Sequence, residues 1–431
     1  KNINQISSFG EAVDFYLEHF YKLDGAIRKL YSAFLTEKDL IEPFQNYYKN
    51  LVTIYLDKWF RYIDGYQSNQ TGVIQEIIDQ HNDKTAIVVG DGVSWEFSQD
   101  IISAIGTSEH ELTKKHIFAG LPSETEHNMS QLYVQTGDVL ATKKERENYL
   151  VKTNEGKDIT FIDLENVNET TDTADYLICS YKDPDKLGET YQQKALKYFD
   201  QVAETFAQKI KQLLNNGYNQ VYLVTDHGFT LTGILENSDK IEVSFIGPTS
   251  KSERYIRTKK QQTIDNDLLV EKGVGYKDFE YCYFSKRLGP FKTPGVYGFS
   301  HGGLSPQETL IPYYKWSRTG SGENKLEVKI ENKGELENVT GDLYNVKLKG
   351  NGSSDDLFSA ERKVFLLTFC EGKKLTESDI FTVYKDVIDA KEYRFGNFDE
   401  IELKVLDATT REQLDKTIIK RNNARDMGGL L

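Results

Sequence analysis

Val221-Tyr-Leu-Val-Thr-Asp-His-Gly-Phe229 is a short unbroken apolar run that ends in an acid, an imidazole and a glycine. Two other stretches have the same form. Ala86-Ile-Val-Val89 ends at Gly90-Asp91-Gly92, and Tyr176-Leu-Ile-Cys179 stands between them. Four apolar residues without polar alternation suit strands buried on both faces, as in a mostly parallel sheet. Between the second and third runs lies a helical pattern: Ala195, Tyr198, Phe199, Val202, Phe206, Ile210, Leu213 and Leu214. Strand, helix and strand in this order predict an α/β fold, a mostly parallel sheet with flanking helices and right-handed crossovers. Reactive groups in such sheets gather beyond the carboxyl ends of the strands. Asp91 and Asp226-His227 stand at those ends.

Outward from this core the pattern changes. Residues 1–82 read as a helical bundle region. Val13, Tyr16, Phe20, Leu23, Ile27, Leu30 and Phe34 recur at steps of three and four, as do Ile41, Phe44, Tyr48, Leu51, Tyr55, Trp59 and Tyr62. Gly65 to Gly72 is a polar break. The core is expected over 83–318, with a basic insertion near 237–292 that carries Lys251, Arg254, Arg257, Lys259 and Lys260. That insertion reads either as a solvated loop or as a cap that holds a phosphate backbone. Gly320 to Asn324 reads as a linker. Beyond it the period becomes two (Leu326, Val328, Ile330; Ile401, Leu403, Val405), which predicts a β-sandwich over 322–408. The tail, 409–431, is expected to begin as a helix and end loosely.

The chain has 431 residues and a net charge of −14, which argues against a protein that coats nucleic acid through broad positive surface. Three distant cysteines, Cys179, Cys282 and Cys370, fit neither a disulfide framework nor a cysteine zinc module, and favour a reducing cytoplasm. No apolar run reaches the roughly 18 residues needed to span a bilayer. The start at Lys1 has no initiator Met and no leader-like run, and reads as a fragment.

Several polar residues share the expected strand ends: Asp91, Thr125, Asp185 and Glu189, Asp226-His227 and His301. An Asp-His pair alone is explained by a turn or a helix cap. Four carboxylates and two imidazoles on one sheet edge are not, because unpaired like charges raise each other's pKa and destabilise the fold. Two divalent cations would balance them. Mixed oxygen and nitrogen donors suit Zn²⁺ first and Mn²⁺ second. Two such ions can clamp the attacking and leaving oxygens of a phosphoryl displacement, and a metal-bound threonine hydroxyl can act as the nucleophile.

The ordered set Asp91, Thr125, Asp185, Asp226-His227 and His301 resembles the alkaline phosphatase superfamily. VTDHGF (224–229) followed by SHGGLSPQETLIP (300–312) is similar to its PglZ branch, over about residues 84–316. The resemblance implies one metal on Asp91, Thr125, Asp226 and His227, and another on Asp185, Glu189 and His301. Glu189 departs from the family, which usually has His there; Asp183 is a substitute for Asp185. Pro122-Ser-Glu-Thr125, with Asn128 three places on, resembles the phosphodiesterase members. That implies Thr125 as nucleophile, with Ser123 as competitor, and Asn128 as an amide donor to a phosphate oxygen. His127 reads as a turn histidine or a ligand.

The resemblance therefore implies a metal-dependent phosphodiesterase or nuclease in bacterial anti-phage defence of the BREX type. Its partners would be other defence proteins and a nucleic acid or nucleotide phosphodiester, with no membrane. The rival expectation is a scaffold subunit of a defence complex whose site is weak or inactive.

Overall fold

The computed structural model describes residues 2–422, apart from 82–83, 107–109, 136–138, 172–173, 265, 276–277, 295–296, 319–325, 352–360, 371–372, 397 and 409–412. The expected linker at 320–324 and the end of the tail, 423–431, lie outside the described residues. The chain divides into two compact units, Lys1–Thr319 and Gly320–Leu431.

The first unit is built on β1 (Thr85–Asp91), β2 (His110–Phe118), β3 (Ile159–Asp163), β4 (Tyr176–Pro184), β5 (Gln220–Thr225) and a strand at Leu310–Arg318. The order across the sheet is β2, the Leu310 strand, β5, β1, β4, β3. The pairs β5–β1, β1–β4 and β4–β3 are parallel, and the Leu310 strand runs antiparallel to both its neighbours. All three apolar runs are central strands. Ala86, Val88, Leu177, Cys179, Val221 and Leu223 share one hydrophobic cluster with Phe97 and Ile101 of the helix Trp95–Ile105 and with Phe206 and Ile210 of the helix Phe199–Asn215. The alternate residues Ile87, Val89, Ile178 and Val224 point to the other face and are equally buried.

The helical bundle region expected at 1–82 belongs to this unit. Tyr16, Ile27, Tyr55 and Trp59 belong to the same hydrophobic cluster as the sheet. Polar bonds hold the attachment as well. Arg28, 1% exposed, bonds both carboxylate oxygens of Glu96 and also Asp100, and Trp59 Nε1 donates to Leu304 O at 2.9 Å. The helix Lys38–Arg61 buries Ile41, Tyr48, Tyr55 and Trp59, but Phe44 faces solvent, so the stripe is narrower than its spacing suggested.

The basic insertion at 237–292 contains a four-stranded antiparallel sheet. Its order is Thr249–Lys251, Tyr255–Thr258, Tyr281–Ser285, Leu269–Lys272, over a small core of Ile241, Ile256, Leu269 and Phe291. The basic residues do not form one exposed patch. Lys251, Lys259 and Lys260 are exposed, whereas Arg254 and Arg257 are buried. Arg254 cannot hold a substrate phosphate, because its guanidinium is spent on Glu308 inside the protein.

In the second unit Glu327–Ile330, Leu343–Asn351 and Ile388–Arg394 form one antiparallel sheet. Glu361–Cys370, Lys373–Glu377, Phe381–Tyr384, Glu400–Asp407 and Gln413–Lys420 form another. Both contribute to one core, with Val346 and Leu348 from the first and Val364, Leu366, Leu403 and Ile419 from the second. The tail does not begin as a helix. Gln413–Lys420 pairs along Glu400–Asp407 and buries Thr417 and Ile419, a period of two.

Candidate active site

β1, β4 and β5 deliver Asp91, Asp185 and Asp226-His227 to one edge. Asp91 is the last residue of β1, Asp226 follows β5, and Asp185 follows β4 as the first residue of a short helix. The turn after β1 needs its glycine. Gly92 has φ +75°, a conformation that L side chains rarely adopt, and its N–H donates to Asp226 Oδ1 at 3.0 Å.

Asp226 is fully buried. Its Oδ1 accepts from the backbone N–H groups of Gly92 and His227 and from Thr225 Oγ1, at 3.0, 2.9 and 3.3 Å. Among the described residues its Oδ2 has no hydrogen-bond partner. That atom lies 3.3 Å from His227 Nε2. His227 Nδ1 sits 2.9 Å from Gly228 O, which can only accept, so Nδ1 carries the proton and Nε2 presents a lone pair. Burial, with the charge of His301, pushes the imidazole down to about 3, so it is not an imidazolium that answers Asp226. Two acceptors face each other with no proton between them. Asp91 joins them, with Oδ1 3.9 Å from His227 Nε2, and the three residues form a group able to hold a metal ion. Burial raises both carboxyls, and the charges of Asp226 and Asp185 raise Asp91 further.

Thr125 opens the helix Thr125–Tyr133 and meets this group. Its Oγ1 is 3.0 Å from His227 Nε2 and 3.3 Å from Asp91 Oδ1. Ser123, the alternative nucleophile, is fully buried, and its hydroxyl donates to Gly303 O at 2.6 Å. Asn128 differs from the expectation of a phosphate donor. Its amide nitrogen donates to Gly120 O and to Asp226 O, both at 3.1 Å, so its hydrogens tie the Thr125 helix to the end of β5.

The second half of the set is looser. His301 Nε2 lies 3.5 Å from Asp185 Oδ1, and His301 Nδ1 donates to Ser123 O at 3.2 Å. The rings of His227 and His301 stack in parallel at 4.0 Å, which places the two halves side by side. Glu189, one helical turn after Asp185, is exposed. Asp183 has Tyr181, Glu165 and Lys186 as its electrostatic neighbours and does not take the place of Asp185. His127 is pushed down to about 4 by burial and by the charge of Arg257, so it is neutral at ordinary pH.

Two supporting residues had no sequence signal. Gln70, in the stretch read as a polar break, is fully buried. It donates to Thr225 O and Asp226 O and accepts from Gly120 N, which fixes the end of β5. Glu308, inside the SHGG motif region, is the buried partner of Arg254.

Residues 177–316 match the PglZ family, described as "BREX system PglZ alkaline phosphatase-like domain". That segment is similar to a PglZ domain. The matched segment contains Asp185, Asp226, His227 and His301. Asp91 and Thr125 precede it and join its residues through β1 and the Thr125 helix. Two mouse structures of ectonucleotide pyrophosphatase/phosphodiesterase 5 are also similar, one of them inactive and in complex with AMP. Each shares 10% identity over 54% of this chain and 88% of its own, with TM-scores of 0.34 and 0.35. No curated protein matches the chain. Among the described residues no helix is long and apolar enough to cross a membrane.

Proposed function

We propose that the protein is a divalent-metal-dependent phosphodiesterase of a bacterial BREX-type defence system, with Thr125 as its nucleophile. The observation that carries this reading is the buried Asp226 Oδ2, without a partner and facing the lone pair of His227 Nε2. Such a carboxylate oxygen is costly to bury unless a cation answers it. Asp91, Asp226, His227 and the Thr125 hydroxyl would hold one ion, and Asp185 with His301 a second, with Zn²⁺ or Mn²⁺ suited to these donors. Such ions, when bound, would supply positive charge that favours the ionised threonine oxygen and offsets the charge of the phosphoryl oxygens. Thr125 would attack phosphorus as the first alcohol leaves with a proton, giving a threonine joined through phosphate to the second alcohol; water would then release that alcohol as its phosphomonoester and restore the threonine hydroxyl. The positive end of the Thr125 helix favours the anionic group at that position.

Calorimetry with Zn²⁺ or Mn²⁺, beside hydrolysis of a chromogenic phosphodiester, tests this. Thr125→Ala should keep the metals and lose turnover, and wild type should yield, by mass spectrometry, a trapped phosphothreonine ester that carries the substrate's second alcohol. Absence of metal binding overturns the reading, as does a dead Ser123→Ala beside an active Thr125→Ala. A polymeric substrate is supported by Lys251, Lys259 and Lys260, the exposed members of the basic insertion. Their replacement by Gln should weaken DNA or RNA cleavage and flatten its salt slope while leaving the small diester unchanged.

The exposed Glu189 favours a second reading, a scaffold subunit with a residual site, because it leaves Asp185 and His301 without their expected third ligand. Binding of one ion, with no turnover of any diester, would select it.

A further inference from the structure

The four-stranded sheet of the insertion reaches the two loops that carry Thr125 and His301, through Arg254 and Tyr255. Arg254 is fully buried. Its Nε and Nη2 donate to Glu308 Oε1 and Oε2 at 2.9 and 3.1 Å, and its Nη1 donates to the carbonyls of Arg287, Leu288 and Gly289. Glu308 in turn accepts from Gly303 N at 2.8 Å and from Ser305 Oγ at 2.6 Å. The pair thus fixes the backbone that follows His301. The neighbouring Tyr255 spans the same gap from the side. Its ring lies against Gly302 so closely that a Cβ there would sit 2.9 Å from Cδ1 and 3.0 Å from Cε1. Its hydroxyl bonds the carboxylate of Glu124, the residue before Thr125, and accepts from Arg257 Nη2 at 3.1 Å.

We propose that Arg254 and Tyr255 are positioning residues: they hold the His301 loop against the Thr125 loop and so set the spacing between the two candidate metal half-sites. This rests on the phosphoesterase reading above. Plain packing would need neither a bidentate ion pair nor a tyrosine hydroxyl placed on the residue that precedes the nucleophile. His301 has one direct tie to the nucleophile loop, its bond to Ser123 O at 3.2 Å, and looks across 3.5 Å to Asp185. Its placement therefore depends on the backbone around it. Groups that orient metal ligands in this way typically change metal affinity by about 10- to 100-fold when removed.

The test titrates the full chain with Mn²⁺ or Zn²⁺ alone and follows kcat and KM on a small phosphodiester. Wild type should bind two ions. Tyr255→Phe removes one oxygen and keeps the ring against Gly302. It should retain the ion on Asp91, Asp226 and His227, weaken the other by about tenfold, and lower kcat with KM unchanged. Arg254→Gln should weaken the second ion by about a hundredfold, and Arg254→Lys should recover part of the loss. If both variants bind two ions as tightly as wild type with the same kcat, the positioning role is overturned and the phosphoesterase reading stands. If Arg254→Gln unfolds the protein, an unchanged Tyr255→Phe is still sufficient to overturn it. If wild type binds fewer than two ions, the two-metal reading fails and this inference with it.

Discussion

The buried acids of the two units are answered differently. In Gly320–Leu431, Asp407 is buried, and Arg362 Nε bonds its Oδ2 at 2.8 Å. Along Glu400–Asp407 the remaining charges point outward. Ile401, Leu403 and Val405 are buried while Glu402 and Lys404 pair on the other face at 3.6 Å. In Lys1–Thr319 the strand ends concentrate Asp91, Asp185 and Asp226 at one edge, and Asp226 Oδ2 has no partner. Both units bury carboxylates. One closes its pairs and gains only packing, whereas the other leaves a charge to be met from outside the chain. The unanswered acid is the observation on which the proposed metal site rests.

The largest expected effect follows from that acid. Asp226→Asn keeps an acceptor for Gly92, His227 and Thr225 but replaces the unpartnered oxygen with NH₂, a donor that cannot ligate. Metal binding at this half-site should be lost and turnover should fall by about a thousandfold or more, since residues that act as a unit fail together. Far-ultraviolet circular dichroism should be unchanged. A variant that still binds metal would mean that Asp226 is a structural acid like Asp407, and the contrast between the units would vanish.

A second buried acid sharpens the comparison without touching the metal site. Asp24 accepts from Tyr16 and Tyr48 at 2.9 and 2.7 Å and faces Gln307 at 3.5 Å and Glu96, with no cation among these neighbours. Burial pushes it up from 3.8 to about 7, with Glu96 adding to the rise and the two tyrosine hydroxyls opposing it. The folded protein therefore holds this proton more tightly than the unfolded chain. Its contribution to stability is full below about pH 4 and is lost as pH rises through about 7. Three pKa units set an upper bound of roughly 4 kcal/mol. Asp24→Asn, neutral throughout, should gain stability relative to wild type between pH 5 and pH 8. The measurement is the difference in denaturant midpoint at the two pH values. An unchanged difference would show that Asp24 does not titrate in that range.

How far the fold was legible depended on how many neighbours each strand has. β1, β4 and β5 are buried on both faces, and continuous apolar runs report that directly. The Leu310 strand carries Pro312 and Lys315 among aromatics and shows no clean period. It nevertheless tolerates the proline, because Pro312 lies beyond Tyr314–Ser317, the stretch paired with β5. In the insertion, strands of three to five residues are too short to show a period. Of the candidate site, Asp91, Asp226 and His227 could be placed near one another from the sequence, because each ends or follows a continuous apolar run. The partners could not. Arg254 looked like one more surface charge because Glu308 follows it 54 residues later, and Asn128 looked like a substrate donor because its carbonyl acceptors belong to backbone no pattern displays.

The smallest expected effect belongs to the second unit. Glu400 pairs with Lys420 at 3.1 Å across adjacent strands, with both side chains more than half exposed. Water screens such a pair, and ordering two long side chains offsets much of the attraction, so exposed pairs contribute about 0.2–1 kcal/mol. Glu400→Gln keeps the length and polarity of the side chain and removes only the charge. It should shift stability by no more than about 0.5 kcal/mol and leave metal binding and hydrolysis unchanged. Arg362→Gln in the same unit is the internal reference. It removes the charge that bonds Asp407 inside the protein, where breaking a buried pair costs about 3–5 kcal/mol. If the two substitutions cost the same, burial does not separate answered charges from idle ones here. The weight placed on the unanswered oxygen of Asp226 would then need support from the metal titration alone.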